Sequence, residues 1–217
     1  MKVFGADITH EVSHFLYYHL KEITSFEIAN QKIFIAFGIK YFFDNNEELE
    51  TLKVIISENH NFVEEPDRAE YGDFQTNAEL ATKVTFHLTL KNISPEIIIE
   101  PTCGKGNFII ASLQNFKNIK KIFGIEIYKS YVWESKFSII KFFLENPETN
   151  KPEISISHCN VFEFNFKQIA KQYSTQDILI IGNPPWVTNS KLGSLNSSNL
   201  PKKTNFKNHS GSYFDHR

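Results

Sequence analysis

Four isoleucine-rich runs, at residues 97–100, 121–126, 154–158 and 178–181, constrain this chain more than any other feature. Each is too short for a helix of its own and apolar enough for a strand buried on both faces. Between them lie stretches with helical periodicity, at residues 108–116, 130–144 and 166–173. Strands alternating with helices at this spacing predict an α/β protein built on a doubly wound parallel sheet, of which these runs supply four strands. A hydrophobic content of 41%, with 21 phenylalanines among 217 residues, is ample for such a core.

The segment before the first run reads as helical. Val12, Phe15, Leu16, His19, Leu20 and Ile23 recur at three- and four-residue spacing, which predicts one amphipathic helix. Residues 31–43 are apolar enough for a second, with Gly38 its weak point. Residues 47–57 give a third, entered through Asp44, Asn45 and Asn46. Residues 58–73 are polar, acidic and interrupted by Pro66, as a linker would be. Thr76 or Asn77 can then cap a further helix. The resulting division is a helical region and linker over 1–70, a core over 71–186, and an irregular tail over 187–217 that is rich in Asn, Ser, Lys and Gly.

Several functions find no support. A formal charge of −2 gives no global case for a polyanion, although a sum over the chain hides local patches. Cys103 and Cys159 have neither disulfide-framework nor zinc spacing. His10, His14 and His19 lack an acidic partner at a suitable offset, so they read as solvated or core side chains, and no metal is expected. No apolar run approaches the ~18 residues of a membrane span, and the start lacks a signal-peptide pattern. The expectation is a cytoplasmic protein with no membrane partner.

Candidate chemistry clusters just after the strands, where open α/β sheets bind ligands. After the first comes Glu100-Pro101-Thr102-Cys103-Gly104-Lys105-Gly106-Asn107-Phe108. Gly104 and Gly106 permit a sharp turn and close backbone approach. The third glycine of a dinucleotide fingerprint is missing, and no Ser or Thr follows Lys105 as a P-loop requires. Glu126 ends the second strand twenty positions after Gly106, where a nucleoside-binding fold places a carboxylate for ribose hydroxyls. Asn160 follows the third strand and can hydrogen-bond an adenine edge, with Phe162 as an apolar wall. Asn183, Pro184, Pro185 and Trp186 follow the fourth. There an amide oxygen, carbonyls without competing N–H groups and a flat ring suit a planar amine.

Together these stretches resemble the S-adenosylmethionine-dependent DNA adenine-N6 methyltransferases of type II restriction-modification systems. Asn183-Pro184-Pro185-Trp186 looks like their catalytic motif, residues 100–108 like their cofactor loop, and Gly124-Ile125-Glu126 like their ribose-binding motif. Asn160-Val161-Phe162 is similar to their adenine-contacting motif, where Asp is commoner. Gly72-Asp73-Phe74-Gln75-Thr76-Asn77 resembles the motif that contacts the methionine end, usually written Thr-Pro where this chain has Thr76-Asn77. The order of motifs is similar to the gamma arrangement. The resemblance implies Asn183, Pro184, Pro185 and Trp186 as catalytic residues. It implies Phe74, Thr76, Glu100, Gly104, Gly106, Glu126, Asn160 and Phe162 as cofactor-binding ones. It further implies a Rossmann-like fold, S-adenosylmethionine as cofactor and double-stranded DNA as partner.

The family's sheet continues past the catalytic strand, whereas 31 residues follow Trp186 here. The expectation is a truncated or split enzyme with its fourth strand at a sheet edge: either a second polypeptide supplies the remaining strands and target recognition, or the isolated chain is poorly active and aggregation-prone. Two rivals stay open: a protein glutamine N-methyltransferase, since those also carry Asn-Pro-Pro, and a non-catalytic remnant that binds cofactor or a partner subunit.

Overall fold

The computed structural model describes residues 1–58 and 75–184. The expected linker, Phe74, Pro185, Trp186 and the tail lie outside the described residues.

The chain opens with a hairpin, β1 (Lys2–Val3) paired antiparallel with β2 (Ala6–Asp7), which the sequence reading did not foresee. Helix α1 (His10–Leu20) follows, burying Val12, Leu16 and Leu20 at the spacing the pattern required. Helix α2 (Phe26–Phe37) is shorter than the helix expected over residues 31–43 and begins earlier. Gly38 stops it with a left-handed φ of 74°, its N–H donating to Phe34 O at 2.7 Å. The next two residues form a strand, β3 (Ile39–Lys40), instead of more helix. Helix α3 (Asn46–Glu58) is capped reciprocally: Glu48 N–H donates to Asn45 Oδ1 at 3.0 Å, and Glu48 Oε2 accepts Asp44 N–H at 2.8 Å.

The alternating half follows the sequence closely. Helix α4 (Ala78–Leu90) is capped by Asn77, whose Oδ1 accepts Glu79 N–H at 2.8 Å. Then come β4 (Ile97–Glu100), α5 (Asn107–Asn115), β5 (Lys121–Glu126), α6 (Lys129–Glu145), β6 (Glu153–His158), α7 (Phe166–Gln172) and β7 (Ile178–Ile180). The sheet has five parallel strands in the order β3-β6-β5-β4-β7. The four expected strands are all present, and the N-terminal region supplies a fifth.

Successive residues of β4 and β5 feed two cores, as a pleat demands. Ile98 and Ile122 join the larger core with α1, α2, α3, α5 and α6, while Ile97, Ile99, Phe123 and Ile125 pack with Ile169 of α7 on the other face. The N-terminal region shares that larger core with the sheet. Its most aromatic part surrounds the fully buried Trp133 of α6, which stacks on Phe4 at 4.5 Å and meets Phe42 edge-on at 5.3 Å. The buried Lys136 donates to Phe42 O at 2.8 Å and Tyr41 O at 3.1 Å.

Candidate active site

Parallel pairing brings the carboxyl ends of β6, β5, β4 and β7 to one edge of the sheet. The registers place Glu126 opposite His158, Glu100 opposite Gly124, and Ile99 opposite Ile180. Ile181 N–H then donates to Ile99 O at 3.0 Å, which brings Gly182 against Glu100 and Pro101. Asn183 and Pro184 leave this point exposed to solvent. Four stretches far apart in the chain thus start from adjacent strands.

The loop between β4 and α5 is tied down on three sides. Toward β5, Cys103 N–H donates to Ile125 O at 2.9 Å and Gly104 N–H to Glu126 Oε2 at 2.8 Å. Toward α6, Ser135 Oγ donates to Gly104 O at 2.7 Å, and Lys105 Nζ meets Glu134 at 2.8 Å. Toward the start of α4, Lys105 N–H donates to Gln75 Oε1 at 3.1 Å and Asn107 Nδ2 to Thr76 O at 2.7 Å. Gly104 has φ 51°, so the backbone there favours glycine, and a Cβ would also have to displace the end of the Gln75 side chain. Gly106 caps α5 with φ 83°.

Glu126 is 7% exposed and doubly anchored, its other oxygen accepting Tyr128 N–H at 2.9 Å. Asn160 closes a turn in which its Oδ1 accepts Phe162 N–H at 3.1 Å, and Phe162 stands 80% exposed beyond it. Glu100 is 2% exposed, and its Oε2 has no hydrogen-bond partner. Burial pushes its carboxyl well above the usual range; the negative charge of Glu126 adds to this, and a backbone hydrogen bond from Ile109 opposes it. Burial likewise raises the Cys103 thiol, with Glu100 and then Glu126 contributing.

The structure therefore brings Glu100, Gly104, Gly106 and Glu126 together, and links Thr76 to the loop through its carbonyl. Asn160 and Phe162 lie at the neighbouring strand end, and Asn183 and Pro184 follow the strand on the other side. Sequence reading missed Gln75 and Ser135 as loop anchors, and Thr102, whose buried Oγ1 lacks a partner. It also missed Ile127, an exposed apolar side chain directly after Glu126. Among the described residues no group of three or more His, Cys, Asp or Glu side chains is arranged to hold a metal, and no helix is long and apolar enough to cross a membrane.

A parallel sheet covered on both faces, with a glycine turn and a carboxylate at consecutive strand ends, defines a Rossmann-like α/β protein. Within that class the chain is 46% identical over 147 residues to the type II methyltransferase M.NspV of Nostoc sp., a match covering 68% of this chain. The resemblance to restriction-modification methyltransferases drawn from the motifs is thus shown over those residues. The chain spans 29% of that relative's length. No protein-family profile matches. Among solved structures, the type IIG restriction endonuclease BpuSI is 17% identical, with a TM-score of 0.42 over 68% of this chain and 18% of that one. A modification subunit provisionally assigned to a type I restriction enzyme of Vibrio vulnificus is 18% identical, with a TM-score of 0.38 over 66% of this chain and 30% of that one.

Proposed function

We propose that the chain carries the cofactor site and catalytic strand end of a DNA methyltransferase of a restriction-modification system, transferring a methyl group from S-adenosylmethionine to adenine N6. One observation carries this reading: Asn183-Pro184 follows the strand paired to β4, whose loop already binds the Glu126 carboxylate. The cofactor's chemistry fits the residues present. Two buried polar atoms beside the loop, Glu100 Oε2 and Thr102 Oγ1, lack partners. Ile127 and Phe162 offer exposed apolar surface for a purine on either side of Asn160.

When bound, S-adenosylmethionine supplies an electrophilic methyl on a sulfonium. The chain's own residues do the rest. Glu126 would accept ribose hydroxyls, and Glu100 and Thr102 would hold the amino-acid end. Phe74 and Thr76 would contact that end. Adenine N6 is a weak nucleophile because its lone pair is delocalised into the ring. Asn183 Oδ1 and Pro184 O would accept its two hydrogens, localising that lone pair toward the methyl. Pro185 would fix the turn, and Trp186 would stack on a base flipped out of the duplex. Positioning and electrostatics by these residues would supply the acceleration. Target recognition would come from polypeptide beyond β7, whose Ile180 is 61% exposed.

The test is label transfer from methyl-tritiated cofactor to duplex DNA, followed by nucleoside digestion. N6-methyladenine is the expected product, and label on protein glutamine instead would refute the adenine assignment. Cofactor binding without transfer to any acceptor favours the non-catalytic remnant. Glu126→Ala should weaken cofactor binding before it affects the methyl-transfer step, because it removes the acceptor for the Gly104 amide of the loop and for the Tyr128 amide at the start of α6. A normal cofactor Kd in that variant would show that the carboxylate has no such role.

A further inference from the structure

The glycine loop after β4 is a β-turn with one movable part. Gly106 N–H donates to Cys103 O at 2.8 Å, closing a turn whose central residues are Gly104 and Lys105. φ is positive at Gly104 and not at Lys105, the pattern of a type II′ turn. The peptide between those two residues takes no part in the closing bond. Flipped over, it gives the type I′ form, which needs positive φ at both positions. The closing bond alone does not choose between the forms. Three other features do. Ser135, fully buried on α6, donates its hydroxyl to Gly104 O at 2.7 Å. At the other end of the same peptide, Gln75 Oε1 accepts Lys105 N–H at 3.1 Å. Lys105 itself is not glycine, so the flipped form would force a side-chain-bearing residue into the left-handed region. The turn rests directly on the serine: a Cβ at Gly106 would come within 3.1 Å of Ser135 Oγ.

We propose that Ser135 is a positioning residue for the cofactor: it holds the Gly104–Lys105 peptide in the one orientation that receives S-adenosylmethionine, before the cofactor arrives. This rests on the methyltransferase reading above. Ser135 has no exposed surface, so it acts on a ligand only through this peptide. A flip would turn a carbonyl oxygen, in place of an N–H, toward Gln75 and the segment before α4, to which that reading assigns the amino-acid end of the cofactor. Without the hydroxyl, Gly104 O is buried and unpaired in the binding orientation, and the flip relieves it. A chain that binds in one form only loses affinity in proportion to the fraction held in the other. The left-handed cost at Lys105 is then the main bias left against the flip.

The experiment measures the Kd of S-adenosylmethionine for the full chain by isothermal titration calorimetry. Ser135→Ala should raise it about five- to tenfold. Ser112→Ala removes another fully buried hydroxyl, one on α5 that has no partner among the described residues, and should leave it unchanged. Equal losses in the two variants overturn the proposal, because general loosening then explains both. The sharper reading compares Lys105→Gly with Lys105→Ala, since both remove the ammonium and only glycine accepts the flipped turn. With Ser135 in place the two should agree within about twofold. On the Ser135→Ala background the glycine variant should bind about fivefold more weakly than the alanine one. The same ratio on both backgrounds means that Ser135 does not select the peptide orientation. A normal Kd for Ser135→Ala overturns the proposal and leaves the methyltransferase reading intact, whereas absence of cofactor binding by the wild-type chain removes both. Should Ser135→Ala not fold, as judged by circular dichroism, nuclear Overhauser contacts in the wild-type chain decide. A strong contact from Gly104 Hα to Lys105 N–H should be present without cofactor and persist with it. A switch on binding, to or from a strong contact between the Gly104 and Lys105 N–H protons, would mean that the ligand and not Ser135 sets the turn.

Discussion

The two edges of the sheet are built on opposite principles. At one edge, β3 is only two residues long, and Ile39 is fully buried beneath the N-terminal helices. Gly38 turns the chain out of α2 and offers its carbonyl to Ile154 N–H at 2.8 Å. Lys136 and the aromatic cluster around Trp133 then hold residues 41–43 against α6. At the other edge, β7 pairs with β4 alone among the described residues, and Ile180 is mostly exposed. An unpaired strand edge is ordinarily covered or blunted. The difference teaches that the closed edge serves stability, while the open one leads into Asn183 and Pro184, to which the proposed function assigns the chemistry.

Four substitutions put that contrast at risk. The largest effect is expected at the open edge, where Asn183→Ala should lower kcat on the order of 10²–10³-fold, as loss of one oriented transition-state contact does. Cofactor affinity and thermal stability should hardly change, because the side chain is exposed. A parallel loss of cofactor binding would mean that Asn183 builds the cofactor site and not the chemistry.

At the closed edge Gly38→Ala should cost roughly 2–4 kcal/mol in urea unfolding, combining a left-handed φ with overpacking. The new Cβ would collide with the Pro152 carbonyl oxygen. A loss below about 1 kcal/mol would show that this edge relaxes freely.

Lys136 gives a pH-dependent test of the same edge. Burial depresses its folded-state pKa from 10.5 to about 8. Between those values the unfolded chain binds more protons than the folded one, so stability contributed by this group rises with pH. The burden is full below about pH 8 and relieved above about 10.5. Wild type should therefore gain up to about 3 kcal/mol relative to Lys136→Met across that window, read from urea midpoints at several pH values. Parallel profiles for the two proteins would place the ammonium in a solvated environment. The smallest effect is expected from Ile180→Lys, within about 0.5 kcal/mol, with solubility improved. A strong destabilisation would mean that the β7 edge is covered after all.

Legibility followed the range of the interactions involved. The four strands and the helices between them could be read because their patterns are local: short isoleucine runs against three- and four-residue periodicity. The N-terminal region was harder. Residues 31–43 are continuously apolar, and such a run cannot say whether it is one helix or a helix that turns into a strand. Gly38 held the answer, but its left-handed φ is useful only because Ile154 waits for its carbonyl. In the site, the glycines and carboxylates announced themselves by type and spacing. Gln75, Thr102 and Ser135 did not, because polar side chains of that size occur everywhere and acquire meaning only from what faces them.

The sequence by itself therefore determined the alternating architecture, the order of the strand-end motifs and the identity of the groups able to do chemistry, all of which depend on neighbours along the chain. Only the tertiary structure decided that β3 closes one edge of the sheet and that the glycine loop after β4 is pinned to β5, α6 and the start of α4. It alone left Glu100 buried beside a second carboxylate, with no ion pair among the described residues. Those outcomes depend on pairing register and burial, which bring together residues as far apart in the chain as Ile39 and Ile154 and fix the cost of charge where they meet.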